Sequence, residues 1–89
     1  MTAAAEADII SVVDWLCESS TAAANRFIDD IERAFAQLAQ FPLSGRRRLP
    51  MAENRRAIVR GDYVVTYEFT GHTVVIRRVL RGAQERTPF

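Results

Sequence analysis

Arginine is the residue type with the most chemical potential in this chain, and it is concentrated in the second half. All 12 basic side chains are arginine and none is lysine. That removes lysine as general base, Schiff-base former or ammonium clamp. Residues 1–45 hold two arginines against seven acids, a net of −5, and residues 46–89 hold ten against four, a net of +6. A chain of overall charge +1 is therefore acidic in front and basic behind. Arg46, Arg47 and Arg48 run together, Arg55 and Arg56 follow, and Arg60, Arg77, Arg78 and Arg81 complete the series. Guanidinium groups match carboxylate and phosphate in a bidentate fashion, so strand pairing that gathered several of them would create an oxyanion-binding patch. The plainer reading is a solvated surface that balances the acidic helices.

Other chemistries find little support. Asp29 and Asp30 are adjacent carboxylates, but they fall on the solvated side of a helix, with arginines one turn away. Cys17 is the only cysteine, which excludes an internal disulfide or a cysteine-built zinc site. It is expected to pack between helices as a small hydrophobe. His72 is the only histidine and falls at a predicted hairpin tip, where a solvated turn residue is the simplest reading. No metal site and no cofactor is expected. The near-apolar stretch from Ile9 to Cys17 is interrupted by Asp14 and is too short to cross a bilayer, so no membrane role is expected. With a single cysteine, the expected compartment is the cytoplasm.

The elements that must position the arginines can be read from the periodicity. At 89 residues the chain is one small domain's worth, and 48% hydrophobic content is ordinary for a folded protein. Ala3 to Glu18 reads as a helix, with Thr2 as N-cap and Ile9, Val12, Val13 and Leu16 on one face. Ser19, Ser20 and Thr21 break the pattern and offer a cap for a second helix. That helix carries Ala24, Phe27, Ile28, Ile31, Ala34, Phe35 and Leu38 as its stripe, and Arg26–Asp30 and Asp29–Arg33 as i,i+4 pairs. Pro42 stops it. So short a link makes the two helices an antiparallel hairpin. Phe41 to Asn54 reads as a loop. Ala57–Arg60, Tyr63–Phe69 and Thr73–Leu80 read as strands joined by turns at Gly61-Asp62 and Thr70-Gly71-His72. The expected class is α+β: an N-terminal antiparallel helical hairpin packed on a small antiparallel sheet of about three strands. In the last strand Arg77 and Arg78 are neighbours and should point to opposite faces. One of them then shares a face with the core and needs a partner, for which Glu68 on the adjacent strand is a candidate.

Several of these pieces occur in a familiar order. Two helices are followed by Phe41-Pro42-Leu43-Ser44-Gly45-Arg46, by Arg56 ahead of a turn, and by Tyr63-Val64-Val65-Thr66-Tyr67. The series closes with Ile76-Arg77-Arg78-Val79-Leu80-Arg81-Gly82-Ala83. From about Ala4 to Glu85 the chain resembles the ParE branch of the RelE/ParE toxin superfamily of bacterial type II toxin–antitoxin modules. The closing Arg-Val-Leu-x-Gly, after the other two pieces, is the specific part.

The resemblance implies a small cytoplasmic toxin, associated with plasmid stabilisation and held inactive by an antitoxin whose C-terminal segment wraps it. A ParD-like antitoxin of the ribbon-helix-helix type is the implied partner. In the ParE branch the target is DNA gyrase, and the toxin is not an enzyme. In the RelE branch the protein is a ribosome-dependent mRNA endoribonuclease. Attack by a ribose 2′-OH then needs a base, a cation for the developing phosphate charge and an acid for the leaving group. Arg56, Tyr67 and Arg81 are the residues that could serve such a reaction here. The absence of lysine, and of a terminal tyrosine or histidine, favours the gyrase-directed reading. A toxin-like module that only binds its partner is a further alternative. Target or antitoxin contacts are expected among Arg46, Arg55, Arg56, Arg60, Tyr67, Arg78 and Arg81, with an acidic, amphipathic antitoxin segment facing them. Two departures from the family pattern stand out. Its usual short strand before the first helix is not found here, so either the natural start lies before Met1 or the sheet exposes an edge with which another chain could pair. Arg81 also stands where the family commonly has histidine.

Overall fold

In the computed structural model the chain is described over residues 1–47 and 55–81. Thr2 starts the first helix, α1 (Ala3–Ser19), by accepting the Ala5 N–H on its hydroxyl at 3.1 Å. One residue, Ser20, ends α1 and begins α2 (Thr21–Gln40). Its N–H donates back to the Leu16 carbonyl at 2.7 Å and its hydroxyl accepts from Ala23 N–H at 3.1 Å. A one-residue joint in extended backbone folds the helices into the expected hairpin. On α2, Ala24, Phe27, Ile31, Ala34 and Leu38 are buried as the stripe requires, whereas Ile28 lies at the margin of that face and is exposed. Cys17 is exposed and does not pack between the helices, because Ala5, Ile9, Val12, Val13 and Leu16 already fill the inward face of α1. The i,i+4 charge pairs of α2 do not close into ion pairs, whereas Arg78–Asp8 and Arg55–Glu68 do.

The sheet follows as β1 (Arg46–Arg47), β2 (Arg55–Arg60), β3 (Tyr63–Thr70) and β4 (Thr73–Arg81), antiparallel and in chain order. The three expected strands are β2, β3 and β4. The two-residue β1 was not foreseen, since Arg46 and Arg47 carry no apolar alternation of their own. It forms by pairing with Ala57 and Arg56. The other expected loop residues, 48–54 with Arg48, and the closing Gly82-Ala83 lie outside the described residues. Both hairpin turns place a glycine at positive φ, Gly61 at 57° and Gly71 at 62°, in the first of two turn positions, where a side chain would be strained. His72 is exposed at the second tip, as expected.

Register decides which side chains meet the helices. Ile58, Val65, Tyr67, Ile76 and Val79 join Phe27, Ile31, Ala34 and Leu38 in one core, with the Phe27 and Tyr63 rings 4.6 Å apart. In β4 that register contains a bulge. Thr66 opposes Arg78 and Tyr67 opposes Ile76, so Arg77 is the extra residue with no Cα partner. The bulge lets Ile76 and Val79, three apart, both reach the core. Neither Arg77 nor Arg78 then enters it, and the expectation that one of them would is overturned. Arg78 pairs with Asp8 of α1 instead of with Glu68, which pairs with Arg55 at 3.5 Å.

The outer edge of β4 is closed by the chain itself. Thr2 N–H donates to the Ile76 carbonyl at 2.9 Å and the Thr2 hydroxyl to the Arg77 carbonyl at 2.9 Å. Val79 N–H donates to the Asp8 carboxylate at 2.9 Å. The first turns of α1 thus take the place of a partner strand over Ile76–Val79.

Candidate functional site

The basic residues divide between the two sides of the sheet, and the division follows from alternation along β2. Arg56 and Arg60 share the helix-facing side with Ile58, while Arg55 and Ala57 point the other way. Both helix-facing arginines are occupied inside the fold. Arg56 donates from Nη1 to the Gly45 carbonyl at 2.9 Å. Arg60 donates from Nη2 to Gln37 Oε1 at 3.0 Å, and Gln37 in turn donates to the Ser44 hydroxyl at 3.0 Å.

Tyr67 completes this internal set. Its side chain is fully buried, and its hydroxyl donates to the Pro42 carbonyl at 2.6 Å while accepting the Gly45 N–H at 2.9 Å. Burial raises its pKa above the ordinary phenol value of 10.0, and the Gly45 N–H and the Arg56 charge oppose that shift. The Phe-Pro-x-x-Gly-Arg segment is thereby given a physical role. Pro42 and Gly45 present a carbonyl and an N–H to one phenol, and a Cβ on Gly45 would sit 2.5 Å from the Tyr67 oxygen and 2.9 Å from the Ala57 carbonyl. Only glycine fits there. The segment pins the end of α2 to the middle of the sheet.

Of the residues an endoribonuclease would use, Arg56 and Tyr67 are cross-strand neighbours. Arg81 opposes Tyr63, four positions along β3, which puts it roughly 13 Å from them along the strand. There it lies over the indole of Trp15 on α1, its guanidinium carbon 4.8 Å from the ring centroid. The three side chains are not gathered around one point.

Arg46 is exposed opposite Ala57 at the β1 edge. Arg78 holds Asp8 with two hydrogen bonds of 2.7 and 3.0 Å, and that carboxylate raises the guanidinium pKa further. Arg55, Arg77 and Arg78 border one cavity of about 430 Å³, together with Thr66 and Leu80 of the sheet and Ala4 of α1. Arg77 is the member that sequence reasoning left out of the candidate set. The bulge that re-aims its side chain shows only in the β3–β4 register, and no local pattern in β4 announces it.

The chain matches, over residues 1–86, the family described as ParE toxin of type II toxin–antitoxin system, parDE. It belongs to the ParE toxin family. Comparison with curated proteins finds no match. Membership implies an antitoxin partner within a type II toxin–antitoxin system. This ParE-family chain carries a locked Tyr67 and a bulged β4. Among the described residues no group of three or more His, Cys, Asp or Glu could hold a metal ion, and no helix is long and apolar enough to cross a membrane.

Proposed function

We propose that the protein is a cytoplasmic toxin that disables DNA gyrase by binding it, and that a ParD-like antitoxin of the ribbon-helix-helix type neutralises it. Family membership supports the toxin role. The observation that favours binding over mRNA cleavage is the Tyr67 lock. Its hydroxyl is buried, its proton is directed at the Pro42 carbonyl, and its ionisation is disfavoured. A leaving ribose oxygen needs an acid that it can reach, and this phenol is enclosed. Arg56 is turned inward beside it, and Arg81 is roughly 13 Å away along β3. The same geometry narrows the antitoxin contacts. Arg56 and Arg60 are engaged inside the fold, which favours Arg46, Arg55, Arg78 and Arg81 among the arginines named from sequence as those an acidic antitoxin segment meets.

Purified protein added to a gyrase supercoiling reaction is expected to inhibit it and to leave cleaved DNA. Unaltered supercoiling at high excess of the protein would refute the target. Primer extension on translated mRNA is expected to show no new cuts within codons, and codon-phased cuts would revive the endoribonuclease reading.

A further inference from the structure

The bulge leaves Arg77 in an unusual position for an arginine. It is half-buried, its carbonyl is fixed by the Thr2 hydroxyl, and among the described residues no acceptor pairs with its guanidinium. Its two arginine neighbours in the cavity are compensated, Arg55 by Glu68 at 3.5 Å and Arg78 by Asp8 at 2.7 Å. One positive charge therefore remains unmatched in a partly desolvated cavity of about 430 Å³. An unmatched, partly dehydrated charge gains more from an incoming counter-ion than an exposed one does. The N-terminal turn of α1 borders the same space through Thr2 and Ala4, adding the positive end of a helix dipole.

We propose that this cavity is a carboxylate subsite for a partner polypeptide, taking an acidic side chain of that partner next to an apolar one, with Arg77 as the charged contact. This deepens the antitoxin reading and rests on it for the identity of the partner. The balance of charge sets the ligand class. A nucleic-acid backbone needs a track of uncompensated cations, and here two of the three arginines already carry their own carboxylates. Ala4, Leu80 and the buried Tyr67 supply apolar wall beside the guanidinium, which suits a peptide segment in which Glu or Asp alternates with an aliphatic residue.

Side-chain Nε–Hε NMR spectra of the 89-residue chain separate the arginines and allow a direct test. Titration with N-acetyl-Leu-Glu-amide should move the Arg77 signal and the amide signals of Thr66 and Leu80 to saturation. The isosteric N-acetyl-Leu-Gln-amide should bind about tenfold more weakly. Arg77→Gln should erase that difference and leave the thermal midpoint in place, because Arg77 has no partner within the described fold. No saturable response, equal binding of the two peptides, or a difference that survives Arg77→Gln would overturn the proposal. Tighter binding of a thymidine dinucleotide than of the Glu peptide at Arg77 would overturn it in favour of a nucleic-acid site. Gyrase does not enter this measurement, so normal supercoiling together with Arg77-dependent peptide binding would sink the target and keep the subsite.

Discussion

The loop lock around Tyr67 and the bulged edge around Arg77 are built from the same materials, an arginine beside a chain carbonyl and a nearby tyrosine. They reach opposite outcomes. At the lock every polar group in play has a partner: Tyr67 has Pro42 and Gly45, and Arg56 has the Gly45 carbonyl. At the bulge the guanidinium of Arg77 has none among the described residues. Arginine is a structural residue where a fixed acceptor lies within reach, and a binding residue where the backbone turns it away from one. The difference lies in one residue of register, since the bulge at Arg77 changes which way the side chain faces.

The comparison breaks most sharply at Gly45. Gly45→Ala forces a methyl against the Tyr67 oxygen and the Ala57 carbonyl, and should cost about 3 kcal/mol through overpacking and broken hydrogen bonds. Denaturant unfolding measures it, and a loss below about 1 kcal/mol would mean that the lock is loose. Tyr67→Phe removes the hydroxyl and leaves the Gly45 N–H and the Pro42 carbonyl without it, at about 2 kcal/mol.

The same tyrosine sets an alkaline limit. Its folded pKa is raised, so the unfolded chain releases the phenolic proton near 10.0 while the folded chain still holds it. Stability from this group is complete below that pH and declines above it, until the raised folded pKa is passed. Base titration of wild type against Tyr67→Phe should show a shallower decline in the variant. Part of the slope should remain, because burial also raises Tyr63. Identical slopes would remove Tyr67 from the linkage.

On the edge side the expected effects are smaller. Asp8→Ala frees Arg78 and the Val79 N–H, at about 1 kcal/mol, because Arg78 is half exposed and the ion pair is screened. Asp8→Asn should recover part of this through the Val79 bond alone. If it recovered nothing, the ion pair would be carrying the contact. Smallest of all, Arg77→Gln should change stability by less than about 0.5 kcal/mol. A larger loss would show that Arg77 is structural after all and would dissolve the contrast.

Much of the frame is legible in the residues alone. The stripe on α2 named its buried face apart from Ile28, Thr2 and a serine at the joint announced the caps, and the glycines at 61 and 71 marked both hairpins. These signals are local, because 3.6-residue and 2-residue periods, caps and turns act within a few residues of themselves. The candidate site was less legible. Tyr67 and Arg56 were chosen as chemical residues, yet their partners lie 22 to 25 and 11 residues away in sequence, on a loop with no periodicity. Cys17 could not be placed either, since its exposure depends on which side of α1 meets β4.

Sequence alone determined the two helices, three of the strands, their order and the excess of arginine in the second half. Tertiary structure alone decided which arginines are enclosed and that Arg77, inside a cavity, has no partner among the described residues. Alternation within β4 predicts opposite faces for Arg77 and Arg78. The bulge overrides this because Ile76 and Val79, an odd number of residues apart, could not both face the core in an unbroken strand. That choice depends on the shape of the helical hairpin above the sheet, and no stretch of β4 encodes it by itself.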